Sequence, residues 1–374
     1  MPSDNVLTLA VAGSRKTQGI IDACAASAPG ERILILTYTR INQDELRSRL
    51  ARQVGDRANI EVMGWFAFII AHFVRPFVPF AFPGERIHGF DFDSDPQMYA
   101  GVDTYARYFN KFGHGRRVHL SQLATRIDSQ SNGAPVSRLV RLYDRIYIDE
   151  VQDLCGYDLE ILLLLLRSIC PIVMVGDVRQ AVLATNSREA KHKKYMYMAI
   201  WNWFLEMKRS GLLTIEQRAI TWRCRPEIAS FADSLFDKSW GFEPTVSRNK
   251  VVTDHDGIFF IREEHVDAYI EEFEPLFLRS SANSARDRSW AFMNFKLSKG
   301  LTRRRVLIWP TDRIAKFVTS SNVLTEAQAA DLYVAATRAE QSVAFVVDDP
   351  KSSNIRYWSP RRRVDQSPPS MMEL

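Results

Sequence analysis

The chain has 374 residues, enough for two domains with complete hydrophobic cores. Hydrophobic residues make up 46% and charged residues 25%, as in ordinary soluble globular proteins, and no apolar run reaches the roughly 18 residues of a membrane span. The 49 Lys and Arg against 44 Asp and Glu give a net charge of +5, a mild basic excess that is compatible with nucleic-acid binding without requiring it.

Residues 1–12 lack a basic start followed by an apolar stretch and a cleavage site, so we expect no secretion signal. The four cysteines contain no C-x-x-C pair, which argues against a zinc site and a disulfide framework: Cys24, Cys155, Cys170 and Cys224. We therefore expect a cytoplasmic protein in a reducing environment, without a membrane partner.

The first predicted element is a strand over Val6–Ala12, which leads into a helix through a short polar loop of Gly13, Ser14, Arg15, Lys16 and Thr17. A phosphate-binding loop needs small residues whose N–H groups surround the phosphates, a Lys for the β and γ oxygens, and a hydroxyl for Mg²⁺. Lys16 and Thr17 supply the last two. The usual pattern has glycines where Val11 and Arg15 stand, so the loop alone is a weak signal.

Two further parallel strands are predicted at Arg32–Thr39 and Asn59–Met63, the first of them an almost continuous apolar run. Aromatic residues follow the second strand, beginning at Trp65. They are typical of core packing. The alternative is that Thr39, Arg40 and Trp65 line a groove for single-stranded nucleic acid, with polar tips on phosphates and a ring stacked on a base.

Residues 73–136 differ from the rest in being dense in proline and glycine at first, and they predict an insertion into the first domain. Within it, Tyr99–Phe112 predicts a helix, followed by a basic patch at residues 113–117 that fits a solvated surface better than a phosphate contact.

The segment Arg145–Leu154, RIYIDEVQDL, predicts a buried strand that ends in the carboxylate pair Asp149 and Glu150. Carboxylates at the carboxyl end of a parallel strand lie where open α/β sheets bind ligands, and there they can hold Mg²⁺ and orient water against a phosphate. An acidic surface turn is the alternative. A helix at Tyr157–Arg167 and a strand at Pro171–Val175 follow, and Gln180 comes shortly after that strand.

These elements together resemble the superfamily 1 helicases of the UvrD/Rep/PcrA type. Besides the loop at 13–17, five elements stand in the family's order: Asp149-Glu150-Val151-Gln152-Asp153, Gly176-Asp177 with Gln180, Thr221-Trp222-Arg223-Cys224, Ser298-Lys299-Gly300-Leu301, and Tyr333-Val334-Ala335-Ala336-Thr337-Arg338-Ala339. The resemblance implies an α/β fold with two RecA-like P-loop NTPase domains and parallel sheets: residues 1–212, with the insertion at about 73–136, and residues 213–349, before a flexible basic tail at 350–374.

The same resemblance implies that ATP and Mg²⁺ bind between the domains. It assigns phosphate and nucleotide contacts to Gly13, Ser14, Arg15, Lys16, Thr17, Trp222 and Gly300. It assigns Mg²⁺ to Thr17 and Asp149, and catalysis to Glu150, Gln180, Arg223 and Arg338, the arginines being permanently charged donors that compensate the transition state. Lys296 and Lys299 join Thr39, Arg40 and Trp65 as contacts to single-stranded DNA or RNA.

The chain departs from the family in several places. It has no upstream Gln to read adenine, it has no aromatic pair after Gln180, and it has Lys296 where the family usually carries a His. The stretch between Arg223 and Asn294 is too short for the large accessory domain of processive members. The second domain is predicted to contain strands at 257–261, 289–295, 305–309 and 342–347, and helices at 226–236, 266–279 and 325–338.

The sequence therefore predicts a compact Mg-ATP-dependent translocase or helicase that acts on single strands and unwinds duplex poorly. The alternative is a nucleotide-switched binding or regulatory subunit for a protein partner such as a nuclease or a replication complex.

Overall fold

The computed structural model describes residues 4–93, 97–186, 188–320, 322–348 and 353–360. The amino-terminal part contains, in chain order, β1 Val6–Ala10, α1 Lys16–Ala26, β2 Ile33–Thr37, α2 Arg40–Gln53, β3 Ile60–Gly64, α3 Trp65–Phe68, a π-helical turn Ile69–Val74, α4 Val78–Ala81, β4 Gly89–Asp91, α5 Tyr105–Tyr108, β5 His114–Arg116, α6 Leu120–Gln130, α7 Ala134–Leu142, β6 Arg145–Ile148, α8 Tyr157–Leu166, β7 Ile172–Gly176, α9 Ile200–Arg209 and β8 Thr214–Arg218. The carboxyl-terminal part contains β9 Ile220–Thr221, α10 Pro226–Asp233, β10 Val246–Ser247, β11 Gly257–Ile261, α11 Val266–Phe273, β12 Leu276–Arg279, β13 Met293–Asn294, β14 Arg303–Trp309, α12 Asp312–Ser320, α13 Glu326–Ala336 and β15 Ala339–Val346.

Two parallel sheets organise these elements. Six of the described strands form the first sheet in the order β3-β2-β6-β7-β1-β8, and five form the second in the order β11-β15-β14-β12-β13. The buried strands correspond to the apolar runs in the sequence. When helices cover both faces of a parallel sheet, the side chains on both faces are buried, so the strands consist mainly of apolar residues. The predicted α/β fold with two RecA-like domains is confirmed.

The carboxyl edge of the first sheet gathers the predicted site. The phosphate loop follows β1, Asp149 follows β6 and Asp177 follows β7, and these three strands are neighbours in register. Since all their carboxyl ends point the same way, residues far apart in the chain meet at one edge.

The two sheets are packed against each other. Val182 and Met198, near the first sheet, form one buried apolar cluster with Ala330 and Val334 of α13. β8 pairs with β1, so the first sheet continues past the division predicted at residue 212. In the described part of the chain, no helix is long and apolar enough to cross a membrane.

Residues 73–136 are more tightly integrated than an appended insertion would be. Phe73, Val78, Tyr108 and Leu120 belong to the same apolar core as Ile148 of β6. The helix predicted over Tyr99–Phe112 is wrong: only α5 is helical there. Gly101 lies inside the predicted range, and glycine lowers helix stability.

Three predictions in the carboxyl-terminal part are also wrong. Of the strand predicted at 289–295, only β13 at Met293–Asn294 forms. The helix predicted over 266–279 ends at Phe273, because Glu274 has a left-handed φ of 45° and precedes Pro275, and the chain then forms β12. The tail predicted as flexible from residue 350 is packed at least over 353–360, where the Trp358 N–H donates to the Phe260 carbonyl oxygen at 2.8 Å. Residues 361–374 lie outside the described residues.

Candidate active site

The phosphate loop has the backbone of a nucleotide-binding turn despite its missing glycine. Gly13 has φ 75° and Arg15 has φ 62° and ψ 39°, so both are left-handed, and α1 begins directly afterwards at Lys16. The Ser14 hydroxyl is buried and makes no hydrogen bond within the described ranges. A buried hydroxyl without a partner, next to the N–H groups at a helix start, fits a phosphate group.

The carboxylate pair lies against this loop, as predicted. Thr17 Oγ1 donates to Asp149 Oδ2 at 3.0 Å, and Lys16 Nζ lies 3.7 Å from Glu150 Oε1. Burial raises the pKa of Asp149 to about 6, and the charge of Glu150 acts in the same direction. Burial also opposes ionisation of Glu150, but the Lys299 and Lys16 ammonium groups outweigh it and hold the pKa of Glu150 below its ordinary value.

Thr17 and Asp149 together fit Mg²⁺, an ion that takes one or two protein oxygens and completes its shell with water and phosphates. A hydroxyl and a carboxylate already in hydrogen-bond contact need little rearrangement to share such an ion.

Lys299 has a different place from the one predicted. Its ammonium group binds Asp153 at 2.8 Å and 3.0 Å and lies 3.2 Å from Glu150 Oε2, with its side chain only 13% exposed. Lys299 therefore lies against the carboxylates that follow β6, and its assignment to a nucleic-acid surface is wrong. The loop before β14 brings it across from the second sheet, a placement that depends on how the two sheets pack.

Gln180 is held at the junction of the two sheets. Its Nε2 donates to Asp177 Oδ2 at 2.9 Å, and its Oε1 accepts from Arg338 Nη2 at 3.2 Å. The Tyr333 hydroxyl donates to the same Asp177 oxygen at 2.9 Å and accepts from the Ala12 N–H at 3.1 Å. Tyr333 belongs to a matched motif, but the sequence assigned it no role. In the structure its buried hydroxyl links Ala12, the residue before the loop at 13–17, to Asp177.

Both predicted arginines lie in the carboxyl-terminal part. Arg338 directly precedes β15 of the second sheet, and Arg223 follows β9, which pairs with β10 in a separate two-stranded sheet. Arg338 is 1% exposed and also donates to the Val334 carbonyl oxygen at 2.9 Å. Burial lowers the pKa of Arg338. The positive charge of Arg223 lowers it further, because the two guanidinium groups repel each other. Arg223 Nη1 donates to the Thr337 carbonyl oxygen at 3.0 Å.

Trp222 lies at the mouth of a cleft of about 460 Å³, which Gly13, Arg15 and Arg223 also line. Trp222 is 48% exposed. Its backbone N–H donates to the Gly13 carbonyl oxygen at 3.0 Å. The loop that contains Gly300 ends at Thr302, which lines the same cleft.

The other residues predicted to bind a nucleic acid fall in three settings. Thr39 caps α2 by accepting from the Asn42 N–H at 3.2 Å, and Arg40 is exposed at the start of that helix. Trp65 is 1% exposed and donates to Asp158 Oδ1 at 2.8 Å. Its prediction as a groove residue is wrong, because α3 turns its ring into the core. Lys296 is half exposed, 4.0 Å from Asp331.

Sequence reasoning did not select the aromatic residues that do reach the surface. Phe66 is half-buried, and its ring centroid lies 6.1 Å from that of Tyr38 and 6.0 Å from that of Phe92. The Arg117 guanidinium lies 6.0 Å from both Phe66 and Phe92. Phe66 directly follows Trp65 in the chain. The aromatic pattern therefore indicated the right segment, but the neighbouring residue was selected.

A second group lies between the sheets. Tyr197 has a left-handed φ of 55° and lines a groove of about 250 Å³ together with Lys296. Tyr197 is far from Gln180 in sequence, so the motif pattern did not point to it.

No protein-family model and no curated protein matches the chain. Among solved structures, it is similar to the arterivirus nonstructural protein 10 helicase in complex with DNA, with 13% identity, a TM-score of 0.47 and 93% of this chain covered. It is also similar to the arterivirus nonstructural protein 10 helicase in a second crystal structure, with 13% identity, a TM-score of 0.48 and 92% of this chain covered. The match covers 61% and 59% of those two chains, so this chain spans about three fifths of their length.

Proposed function

We propose that the protein hydrolyses Mg-ATP between its two sheets and couples this to movement along single-stranded nucleic acid. One observation carries the proposal. Lys16, Thr17, Asp149 and Glu150 lie together at the carboxyl edge of the first sheet, and Arg223 and Arg338 approach from the carboxyl-terminal part of the chain. This is the charge arrangement that phosphoryl transfer requires, with cations on both sides of the phosphates and a carboxylate for water.

Each residue has a separate task in this proposal. Lys16 and the loop N–H groups bind the phosphates, and Thr17 and Asp149 hold Mg²⁺. The ion, when bound, neutralises phosphate charge. Glu150 orients and deprotonates the attacking water. Gln180 senses the terminal phosphate through the contacts that it makes to Asp177 and Arg338.

Arg223 and Arg338 act on the charge that develops in the transition state. Because Arg338 directly precedes β15 of the second sheet, its distance to the phosphates depends on how closely the two sheets approach, and hydrolysis is thereby tied to domain movement.

Two surfaces support binding of a single strand. The cluster of Tyr38, Phe66, Phe92 and Arg117 combines flat rings with a cation at the carboxyl edge of the first sheet. Tyr197 and Lys296 repeat the combination in the groove between the sheets. Rings stack on any base and cations bind the backbone, so both surfaces suit strands without sequence preference.

The test is Glu150→Gln, which keeps the size of the side chain and most of its hydrogen bonds but removes the base. We expect hydrolysis to fall by a factor on the order of 10² to 10⁴ while nucleotide binding survives. Lys16→Ala should instead weaken binding, since it deletes the charge that meets the phosphates. Both are measured by phosphate release and by calorimetry with Mg-ATP. A Glu150→Gln protein that hydrolyses at the parent rate contradicts the proposal.

A second candidate, the nucleotide-switched subunit for a protein partner, is favoured by Lys299. Its ion pairs with Glu150 and Asp153 occupy the carboxylate that must handle water. In that case ATP binds without turnover, with or without single strands, and duplex unwinding is absent. Turnover stimulated by a single strand would exclude this candidate.

A further inference from the structure

Arg15 has a backbone conformation that its side chain disfavours. It is left-handed, at φ 62° and ψ 39°, directly before Lys16. An L-residue with a Cβ is strained there, and strained residues that the fold retains tend to lie at ligand sites. The Arg15 side chain lies over the Trp222 ring, with its guanidinium carbon 4.3 Å from the ring centroid.

We propose that Arg15 exchanges partners when a nucleotide binds: the base takes the face of Trp222 that Arg15 covers, and the guanidinium moves to the phosphates. This inference rests on the proposed nucleotide site and makes Arg15 its determinant of phosphate recognition. The guanidinium has to move only a short distance between its two partners. Arg15 is adjacent to Lys16, which binds phosphate in the proposed function, and the backbone N–H of Trp222 donates to Gly13 of the same loop.

The walls of the cleft point to selection by phosphates and ring stacking. Gln18 lines the cleft, but its amide donates to Asp22 and Gln53 and accepts from Arg49. With Gln18 engaged, Trp222 offers stacking, which every base satisfies. Arg15 offers a charge that suits phosphates, in a cleft that Arg49, Arg223, Thr302 and Glu340 also line. We therefore expect stacking on Trp222 to discriminate weakly between bases and Arg15 to strengthen discrimination by phosphate number.

The strengths of the three interactions favour the exchange. An exposed cation–π interaction is worth roughly a two- to fivefold change in affinity. Stacking of one base on an aromatic ring is worth roughly five- to a hundredfold, and a charged hydrogen bond to phosphate roughly ten- to a hundredfold. Base stacking and the phosphate bond together therefore outweigh the cation–π interaction that Arg15 gives up.

The experiment measures binding of Mg-tripolyphosphate, which has the phosphates without a base, and of Mg-ATP by calorimetry on the full chain. Arg15→Met keeps the length and the backbone strain but removes the charge, and we expect tripolyphosphate affinity to fall about tenfold. Arg15→Gly removes both the charge and the backbone strain, and it should show the same loss of tripolyphosphate affinity. If Arg15→Met fails to fold, Arg15→Gly still tests the inference. Arg209→Met, on the exposed end of α9, is the matched control and should bind as the parent does.

Trp222→Ala supplies the sharper result, because the two probes should respond in opposite directions. Without the ring, Arg15 is free for the phosphates, so tripolyphosphate affinity should rise about two- to fivefold. ATP affinity should fall, by up to about fiftyfold, because the stacking that is lost outweighs the cation–π interaction that no longer has to be broken. In the Arg15→Met background the rise should disappear.

Tripolyphosphate affinity that is unchanged in both Arg15 variants overturns the inference and leaves the proposed function standing. The same holds if Trp222→Ala lowers tripolyphosphate affinity. If the folded parent binds neither probe, the proposed nucleotide function fails first, and this inference fails with it.

Discussion

Lys299→Met tests whether the ion pairs across the cleft hold the two sheets together. The ammonium group lies within 3.2 Å of two carboxylates whose side chains are only 2% and 14% exposed, those of Asp153 and Glu150. Removing one partner of a buried ion pair leaves an uncompensated charge and typically costs about 3–5 kcal/mol. We expect the free energy of unfolding to fall by about 3 kcal/mol at pH 8, near the lower end of that range, because Lys16 still faces Glu150.

The loss should depend on pH. Burial already raises the pKa of Asp153 to about 6, and without Lys299 it rises further. A carboxyl group whose pKa is raised by folding binds extra protons in the folded state. The variant therefore recovers stability relative to the parent as the pH falls from the higher pKa of Asp153 in the variant to about 6, its value in the parent. At pH 5 the difference from the parent should shrink to about 1 kcal/mol.

Urea unfolding followed by circular dichroism at both pH values measures this difference. Lys296→Met is the matched control, since Lys296 is half exposed and 4.0 Å from its partner Asp331. It should change stability by less than about 1 kcal/mol. If Lys299→Met is no less stable than Lys296→Met at pH 8, the interpretation of this ion-pair cluster is wrong.

Two further predictions concern neighbouring groups. In the proposed function Asp149 holds Mg²⁺, and burial raises the pKa of this carboxyl group to about 6, so its protonation in acid should weaken Mg²⁺-dependent nucleotide binding by up to about tenfold per pH unit below 6. Calorimetry from pH 8 to pH 5 checks this, with Asp149→Asn as the pH-independent control, and a parent affinity that stays constant over this range speaks against it. Tyr333→Phe leaves the buried Ala12 N–H without its acceptor and removes one of the donors to Asp177, so it should lower the free energy of unfolding by about 2 kcal/mol. Thermal unfolding measures that loss, and an unchanged melting temperature would show that the hydroxyl contributes nothing.

The sequence predicts the sheets well because their physics is local. Buried parallel strands are apolar throughout, and the range predicted at 257–261 coincides with β11. The phosphate loop and the carboxylate pair follow strands directly, so their place at one sheet edge also follows from the pattern. Pro275 was an available signal for the end of α11 that the helix prediction over 266–279 passed over.

Side-chain direction was harder to predict, because it depends on packing between distant elements. Trp65 and Phe66 are adjacent, and only the tilt of α3 decides that the first faces Asp158 and the second faces Tyr38. Lys299 reads as a basic residue suited to a nucleic acid, and only the approach of the second sheet brings it to Asp153, 146 residues away in the chain. Contacts across such separations leave no periodicity in the sequence.

The hydroxyl of Tyr333 has a consequence for how the cleft can open. It bonds at once to the residue before the phosphate loop and to the carboxylate that positions Gln180. A rotation that moves α13 by more than a hydrogen-bond length breaks both bonds together, so the two ends of the cleft separate in one step. In the proposed function, a bound single-stranded nucleic acid that favours one angle between the sheets then alters nucleotide affinity by the same factor by which nucleotide alters affinity for the nucleic acid.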